Sequence, residues 1–115
     1  MTTYSPQFAL NFATGSASFP LSAEGAREWH RALQTLVERL KVGASGPQRQ
    51  PQAPIEFHHA APNLYLEMFC NPNIWPGPHA AKVLVMLKTG ALRLSIEVEF
   101  SRLQEDLSQY LESLR

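Results

Sequence analysis

Two stretches of the chain place apolar residues at helical spacing, and each predicts an amphipathic helix. The first begins at Ser22, whose hydroxyl suits an N-cap, and ends at Gly43, a residue that commonly stops a helix. The second follows Ser101, which forms a Ser-x-x-Gln capping box with Gln104. The apolar stripes are Ala26, Trp29, Leu33, Leu36, Val37 and Leu40 in the first helix, and Leu103, Leu107, Tyr110, Leu111 and Leu114 in the second.

Alternation of apolar and polar residues predicts strands in the rest of the chain. The alternation is clearest after Gly90, where Leu92, Leu94 and Ile96 are separated by polar residues, so one face of that strand should be buried and the other wet. The predicted strands span residues 8–12, 16–19, 55–59, 64–70, 82–88 and 91–100.

The predicted order of elements is ββ-α-ββββ-α, with hairpin-length turns between neighbouring strands. This order favours an α+β fold in which two helices pack on antiparallel sheet, and it needs no parallel βαβ unit. Residues 43–54 carry no apolar periodicity and predict a flexible, Gly/Pro/Gln-rich connection. Because the segment of about 40 residues before it would be a marginal domain alone, we expect residues 1–115 to form a single domain.

Composition excludes several classes of protein. With 44% hydrophobic and 17% charged residues, the chain is too apolar to be disordered. Ten basic and ten acidic residues cancel, so charge gives no sign of nucleic-acid binding. Neither an apolar run of about 18 residues nor a secretory signal is visible, so we expect no membrane span. The one cysteine, Cys70, cannot form an internal disulfide and favours a reducing, cytoplasmic setting.

The motifs that usually carry catalysis or metal binding are missing from the sequence. His58 and His59 are neighbours on a predicted strand, so they point to opposite faces and cannot chelate one metal. Cys70 shares a strand face with Leu64 and Leu66 and is typical of a small core residue. We therefore expect a protein with no catalytic, metal-ligating or cofactor-binding residues and no cofactor. A small-molecule-binding or enzymatic domain is an alternative, which a deep pocket holding Cys70 beside a histidine would support.

The strand at residues 82–88 is apolar on both faces through its centre. The helices can cover one face of a sheet, which leaves the other for a second sheet or a second protomer. Trp75 lies in a Pro-rich loop, where it either caps the core or is held out as a contact hot spot. We therefore expect a non-catalytic protein-interaction or regulatory domain that binds a protein partner or itself as a homodimer. The candidate contact residues are Ile74, Trp75, Val83, Val85 and Leu87.

A single-stranded DNA or RNA binder is the alternative. Tyr65 and Phe69 share one face of a predicted strand and, if exposed, would form a stacking platform for bases. Glu67 between them would repel phosphate, and neutral net charge with three lysines disfavours strong binding. The candidate nucleic-acid contacts are Tyr65, Phe69, Lys88 and Arg93.

Three short stretches, placed in this order of elements, carry a family resemblance. They are Leu21-Ser22-Ala23-Glu24 at the first helix, Leu64-Tyr65-Leu66-Glu67-Met68 on a strand, and Leu87-Lys88-Thr89-Gly90-Ala91-Leu92-Arg93 at a hairpin. They resemble a small cyanobacterial family of uncharacterised proteins with a Whirly-like, transcriptional-coactivator-like fold. The Trp- and Gly-rich start of that family is missing here. The resemblance implies a Whirly-like fold and, by fold analogy, single-stranded nucleic-acid binding; it brings no catalytic residues.

Overall fold

The computed structural model describes residues 6–44 and 50–115, and it confirms the α+β fold and the predicted order of elements. Two single-turn 3-10 helices lie in the loop after the fourth strand, at Pro72–Ile74 and Pro78–Ala80. The other elements are β1 (Gln7–Phe12), β2 (Gly15–Pro20), α1 (Ala23–Ala44), β3 (Ile55–Ala61), β4 (Leu64–Cys70), β5 (Lys82–Thr89), β6 (Leu92–Glu99) and α2 (Phe100–Ser113).

The strands form two antiparallel sheets, as the hairpin-length turns predicted. The pair β1-β2 is one sheet, and β3-β4-β5-β6 is the other, in which every strand pairs with its neighbour in sequence. The turn between β5 and β6 depends on Gly90, whose φ of 55° lies in the left-handed region that side chains disfavour. This meander fixes which residues stand opposite one another across the four-stranded sheet.

The core lies between the helices and one face of the four-stranded sheet. Trp29 of α1 is fully buried there, with its ring stacked on Phe57 of β3 at a centroid distance of 5.9 Å. Its indole N–H donates a hydrogen bond to the sulfur of Met68 on β4 at 3.1 Å. Burial of so large a ring, with its one polar atom satisfied, ties α1 to two strands at once.

The β1-β2 hairpin packs on the same core through Phe8. The Phe8 ring makes edge-to-face contacts with Phe19, Trp29 and Tyr110 at centroid distances of 5.7, 5.8 and 5.3 Å. The Tyr110 hydroxyl donates to the carbonyl of Leu21, just before α1. One aromatic cluster therefore joins the hairpin to both helices, which supports a single domain across the described residues.

The first helix starts as predicted but extends further. The Ser22 hydroxyl accepts a hydrogen bond from the backbone N–H of Gly25 at 3.0 Å, which confirms the N-cap. The predicted stop at Gly43 is wrong, because α1 includes that residue and continues to Ala44.

The capping box predicted at Ser101 is also wrong. Helix α2 begins at Phe100, and the residue at its N-cap, Glu99, makes no side-chain hydrogen bond to the helix. The backbone N–H of Phe100 donates instead to the carbonyl of Ala81 at 3.0 Å, and the Phe100 ring is buried. With that ring buried, the helix starts two residues earlier than the capping box indicates.

The connection predicted at residues 43–54 is described in part, because residues 45–49 lie outside the described residues. The end of this connection that precedes β3 is held by hydrogen bonds to the side chain of Asn73. The Asn73 amide accepts from the backbone N–H of Gln52 at 2.7 Å and donates to the Gln52 carbonyl at 2.8 Å. This reciprocal pair fixes the approach to β3. In the two described stretches of chain, no helix has both the length and the apolar content to cross a membrane.

Replacing Ser22 with Ala should lower the free energy of unfolding by about 1 kcal/mol, the usual cost of an N-cap. The reason is the loss of the hydrogen bond that satisfies the Gly25 N–H. For a domain of this size the melting temperature should fall by about 5 °C, measured by circular dichroism. Ser22→Asp is the matched control and should stay close to the parent, since Asp also caps. Equal melting of the Ala variant and the parent would show that this cap contributes nothing.

Candidate functional site

One face of the four-stranded sheet carries the helices, and the opposite face is not buried at any of its positions. We call this surface the open face. Because side chains alternate along each strand, its members follow from strand register. They are Glu56, His58 and Ala60 on β3, Tyr65, Glu67 and Phe69 on β4, Lys82, Leu84, Met86 and Lys88 on β5, and Arg93, Ser95, Glu97 and Glu99 on β6.

Three apolar side chains adjoin at the centre of the open face. Phe69 and Leu84 stand directly opposite each other on β4 and β5, with 41% and 50% of their surface exposed. Met86, half-buried, follows Leu84 on the same side of β5. A depression of about 120 Å³ lies among them. It is smaller than the several hundred Å³ of a typical ligand pocket, so it suits a side chain from a partner better than a small molecule.

Carboxylates flank this apolar centre at one end of the face. Glu56 stands opposite Phe69, and Glu97 stands opposite Leu84, so the row across four strands reads Glu, Phe, Leu, Glu. Lys82 lies at the same end and forms an exposed ion pair with Glu97 at 3.8 Å. Exposed ion pairs of this kind contribute little to folding. The two carboxylates, Glu56 and Glu97, outnumber the one cation, Lys82, so this end of the face is negative overall.

The other end of the open face is positive. Tyr65, Lys88 and Arg93 stand opposite one another on β4, β5 and β6. Within the described residues, no carboxylate pairs with Lys88 or Arg93. The two signs of charge are thus separated along the strands, although the chain as a whole is neutral.

A hydrogen-bonded group of three polar side chains lies beside the apolar centre. The Tyr65 hydroxyl donates to Glu67 Oε1 at 2.9 Å and lies 2.9 Å from His58 Nδ1, which is 3.3 Å from the same carboxylate oxygen. The hydrogen bond to Glu67 raises the pKa of Tyr65, so its hydroxyl stays protonated at neutral pH. An activated nucleophile or base would need the opposite shift, so this raised pKa disfavours Tyr65 in either role.

The sequence alone does not show the partner of Glu67. Strands β3 and β4 pair so that His58 stands directly opposite Glu67. The signal was present in the short hairpin turn at residues 62–63, from which the register of the two strands can be counted.

Three of the predicted contact residues are on the wrong face. Val83, Val85 and Leu87 are 0%, 0% and 6% exposed, because they point toward the helices. This corrects their assignment to a contact surface. The apolar residues of β5 that remain accessible are the alternate ones, Leu84 and Met86.

The other two predicted contacts lie away from the open face. Trp75 is half-buried against the core, so the indole caps the core. The indole Nε1 of Trp75 is buried and has no hydrogen-bond partner among the described residues. Ile74 is 64% exposed, but it belongs to a 3-10 turn that packs against α1. This loop therefore packs on the core through Trp75 and on α1 through its first 3-10 turn.

Cys70 is a core residue, as its strand position predicted. It is 2% exposed and its thiol donates to the Lys82 carbonyl at 3.5 Å. Burial raises the pKa of Cys70 to about 11, although the nearby Trp75 side chain acts in the opposite direction. The thiol is therefore protonated at neutral pH. Cys70 lines none of the four surface depressions found among the described residues.

Three of the four predicted nucleic-acid contacts come together, because Tyr65, Lys88 and Arg93 form one row across the open face. Phe69 is on the same face but lies four residues from Tyr65 along β4, with Glu67 between them. Use of these residues by nucleic acid stays a prediction. Across residues 6–44 and 50–115, no three His, Cys, Asp or Glu side chains are grouped as a metal ion would require.

No protein-family model, curated protein or solved structure matches the chain. The resemblance to the Whirly-like family therefore stays a prediction, and function has to be argued from the open face itself.

Replacing Trp75 with Ala should lower the free energy of unfolding by about 2 kcal/mol, less than for a fully buried indole. The cause is the loss of the ring that caps the core beside Cys70. Chemical denaturation measures the change, and Trp75→Phe, which keeps an aromatic ring, should lose less. A Trp75→Ala variant as stable as the parent would show that the indole does not contribute to the core.

Proposed function

We propose that this chain is a non-catalytic protein-interaction domain that forms a homodimer through the open face of its sheet. The observation that carries the proposal is the direct cross-strand pairing of exposed Phe69 and Leu84 at the centre of that face, where both line one depression. An antiparallel sheet leaves one face to water readily when that face is polar. A contiguous apolar centre rimmed by charge is instead typical of a surface that binds another protein.

The charges favour a second copy as the partner. A homodimer interface uses the same patch twice, so the patch must be complementary to itself. The open face meets this requirement, because carboxylates lie at its Phe69 end and the cations Lys88 and Arg93 lie at the other. A partner of uniform charge would be repelled by one end or the other.

The size of the face sets the expected affinity. Four strands about 4.8 Å apart and about 27 Å long give a footprint of roughly 500 Å² per copy. A stable interface buries about 800 Å² on each side, so this one belongs to the weaker class. We therefore expect a dimer that dissociates on dilution in roughly the micromolar range. The reducing cytoplasm is the setting we propose, which the free thiol of Cys70 supports.

Replacing Leu84 with Glu should abolish the dimer, because a carboxylate would then be buried at the centre of the interface. We expect association to weaken by about 100-fold or more, equivalent to about 3 kcal/mol. Sedimentation velocity over a concentration series measures the change. Leu92→Glu is the matched control: Leu92 is 62% exposed, points to the helix side of the sheet, and should tolerate the same change without loss of dimer.

Two results would contradict the proposal. One is a parent protein that remains monomeric at the highest concentration reached. The other is a Leu84→Glu variant that folds, by circular dichroism, and dimerises as well as the parent and the Leu92→Glu control.

Single-stranded nucleic-acid binding is the second candidate function, and it is favoured by the row of Tyr65, Lys88 and Arg93, with Phe69 on the same face four residues along β4. Bases would stack on the two rings while phosphates contact the cations. The resemblance to the Whirly-like family would imply the same activity. The open face nevertheless holds four Glu against three Lys and Arg, which works against an anionic ligand.

We therefore expect a labelled oligothymidylate to show no binding at low salt, measured by fluorescence anisotropy, because the carboxylates of the face repel phosphate. Binding that weakens steeply with added salt, and that is lost in Lys88→Ala and Arg93→Ala but kept in the α1 control Arg27→Ala, would establish the second function instead.

A further inference from the structure

We propose that the positive end of the open face binds a small organic phosphate, with the phosphate group between Lys88 and Arg93 and the organic part against Tyr65. The site goes beyond the proposed self-association, because it is formed by residues of one copy of the chain. It rests on the cross-strand position of the two cations, on an open depression beside them, and on hydrogen bonds that hold the walls of that depression.

The two cations stand where folding alone disfavours them. Lys88 of β5 and Arg93 of β6 are directly opposite each other on the same face of the sheet. Like charges in such a cross-strand pair destabilise the sheet. Within the described residues, neither side chain forms an ion pair with a carboxylate, so nothing of that kind offsets their repulsion. An anion bound between them would offset it.

A phosphate monoester suits this pair of cations better than a carboxylate does. A phosphate group carries about 1.5 to 2 negative charges at neutral pH and three strong acceptor oxygens. The guanidinium of Arg93 offers a planar fork of donors for two of those oxygens, and the ammonium of Lys88 acts as a second point charge. A carboxylate carries one charge, which balances only one of the two cations.

An open depression lies beside the cations and can hold the organic part of the ligand. Its volume is about 460 Å³, and Tyr65, Lys88, Thr89 and the two neighbouring hairpin turns line it. Small-molecule sites usually have volumes of several hundred Å³. Ala60 stands opposite Tyr65 on β3, and its small side chain leaves room beside the tyrosine. The ligand can therefore extend from Lys88 toward Tyr65.

Hydrogen bonds hold the walls of this depression in place. The Thr89 hydroxyl donates to the Asn63 carbonyl at 2.7 Å and so joins the end of β5 to the turn between β3 and β4. The Tyr65 hydroxyl donates to Glu67 at 2.9 Å, which fixes the outer end of the ring. A site whose walls are already ordered loses less conformational entropy when a ligand binds.

The carboxylates of the open face limit the size of the ligand. By strand register Glu67 is the nearest of them to the two cations, and its charge is partly balanced by hydrogen bonding to Tyr65 and by His58 at 3.3 Å. Glu97 lies four residues from Arg93 along β6, or about 13 Å. A ligand with one phosphate occupies the positive end alone, whereas an oligonucleotide would extend over the carboxylates.

Titration of the ¹⁵N-labelled chain with phenyl phosphate tests the site by heteronuclear NMR. We expect the amide signals of Lys88, Gly90 and Arg93 to shift with a dissociation constant of roughly 1 mM at low salt, as a few charge-assisted contacts allow. Inorganic phosphate lacks the ring and should bind about 5-fold more weakly, since it leaves the depression empty. Benzyl alcohol lacks the phosphate and should shift none of these signals at the same concentration.

Matched variants locate the phosphate group. Lys88→Gln and Arg93→Gln each remove one cation and should weaken the binding of phenyl phosphate by about 5-fold or more. Lys82→Gln is the control, because Lys82 lies on the same strand and face as Lys88 but at the negative end, beside Glu97. It should change the dissociation constant by less than about 2-fold, since charges that far apart are largely screened. The NMR spectrum of each variant shows that it is folded.

Three results would overturn the proposal. One is the absence of shifts up to about 20 mM phenyl phosphate, some twenty times the expected dissociation constant. Another is equal weakening by Lys82→Gln and Arg93→Gln, which would show diffuse attraction to surface cations. The third is inorganic phosphate binding as tightly as phenyl phosphate, which would exclude an organic part in the depression. None of them affects the proposed function, which is contradicted instead by a chain that never dimerises.

Discussion

Two helices can cover one face of a four-stranded sheet, and the rest of the structure depends on that constraint. Trp29 fixes which face is covered, because its ring stacks on Phe57 and its N–H reaches Met68 on the next strand. Every strand then sends alternate side chains to the uncovered face. The covered face becomes a core without a buried charged or polar residue among the described positions. The chemistry available to the sheet is therefore concentrated on the open face.

Polar groups near the centre of that face hydrogen-bond to one another. Glu67 keeps the Tyr65 hydroxyl protonated by accepting its hydrogen bond, and it also contacts His58. Cys70, the most nucleophilic side chain type present, is on the other side of the sheet with its pKa raised by burial to about 11. A binding surface needs none of these groups to be activated. In the proposed dimer, the apolar side chains of the open face would exclude water and its charges would restrict the orientation.

The sequence predicted the elements and their order because their periodicities are strong, as in β6, where Leu94 and Ile96 alternate with exposed residues. It could not predict the accessible face of β5. That strand is apolar at successive positions, so the side chains on its two faces are equally apolar. Only the position of the helices shows which of the two faces is covered. Leu84 and Met86 stand opposite the polar residues Glu97 and Ser95 of β6. This cross-strand register indicates which face of β5 is accessible, and it cannot be seen when β5 is considered alone.

A neutral net charge also concealed the most informative property of the face. Ten acidic and ten basic residues cancel in the composition, yet hairpin register places Lys88 beside Arg93 and Glu97 beside Leu84. Apolar burial is nondirectional and contributes strength to any face-to-face pairing. Separated charges are directional, so they choose one orientation among those that bury similar area. In the proposed dimer, the apolar centre would supply the attraction between two open faces, and the separation of charge along the strands would restrict how they are oriented.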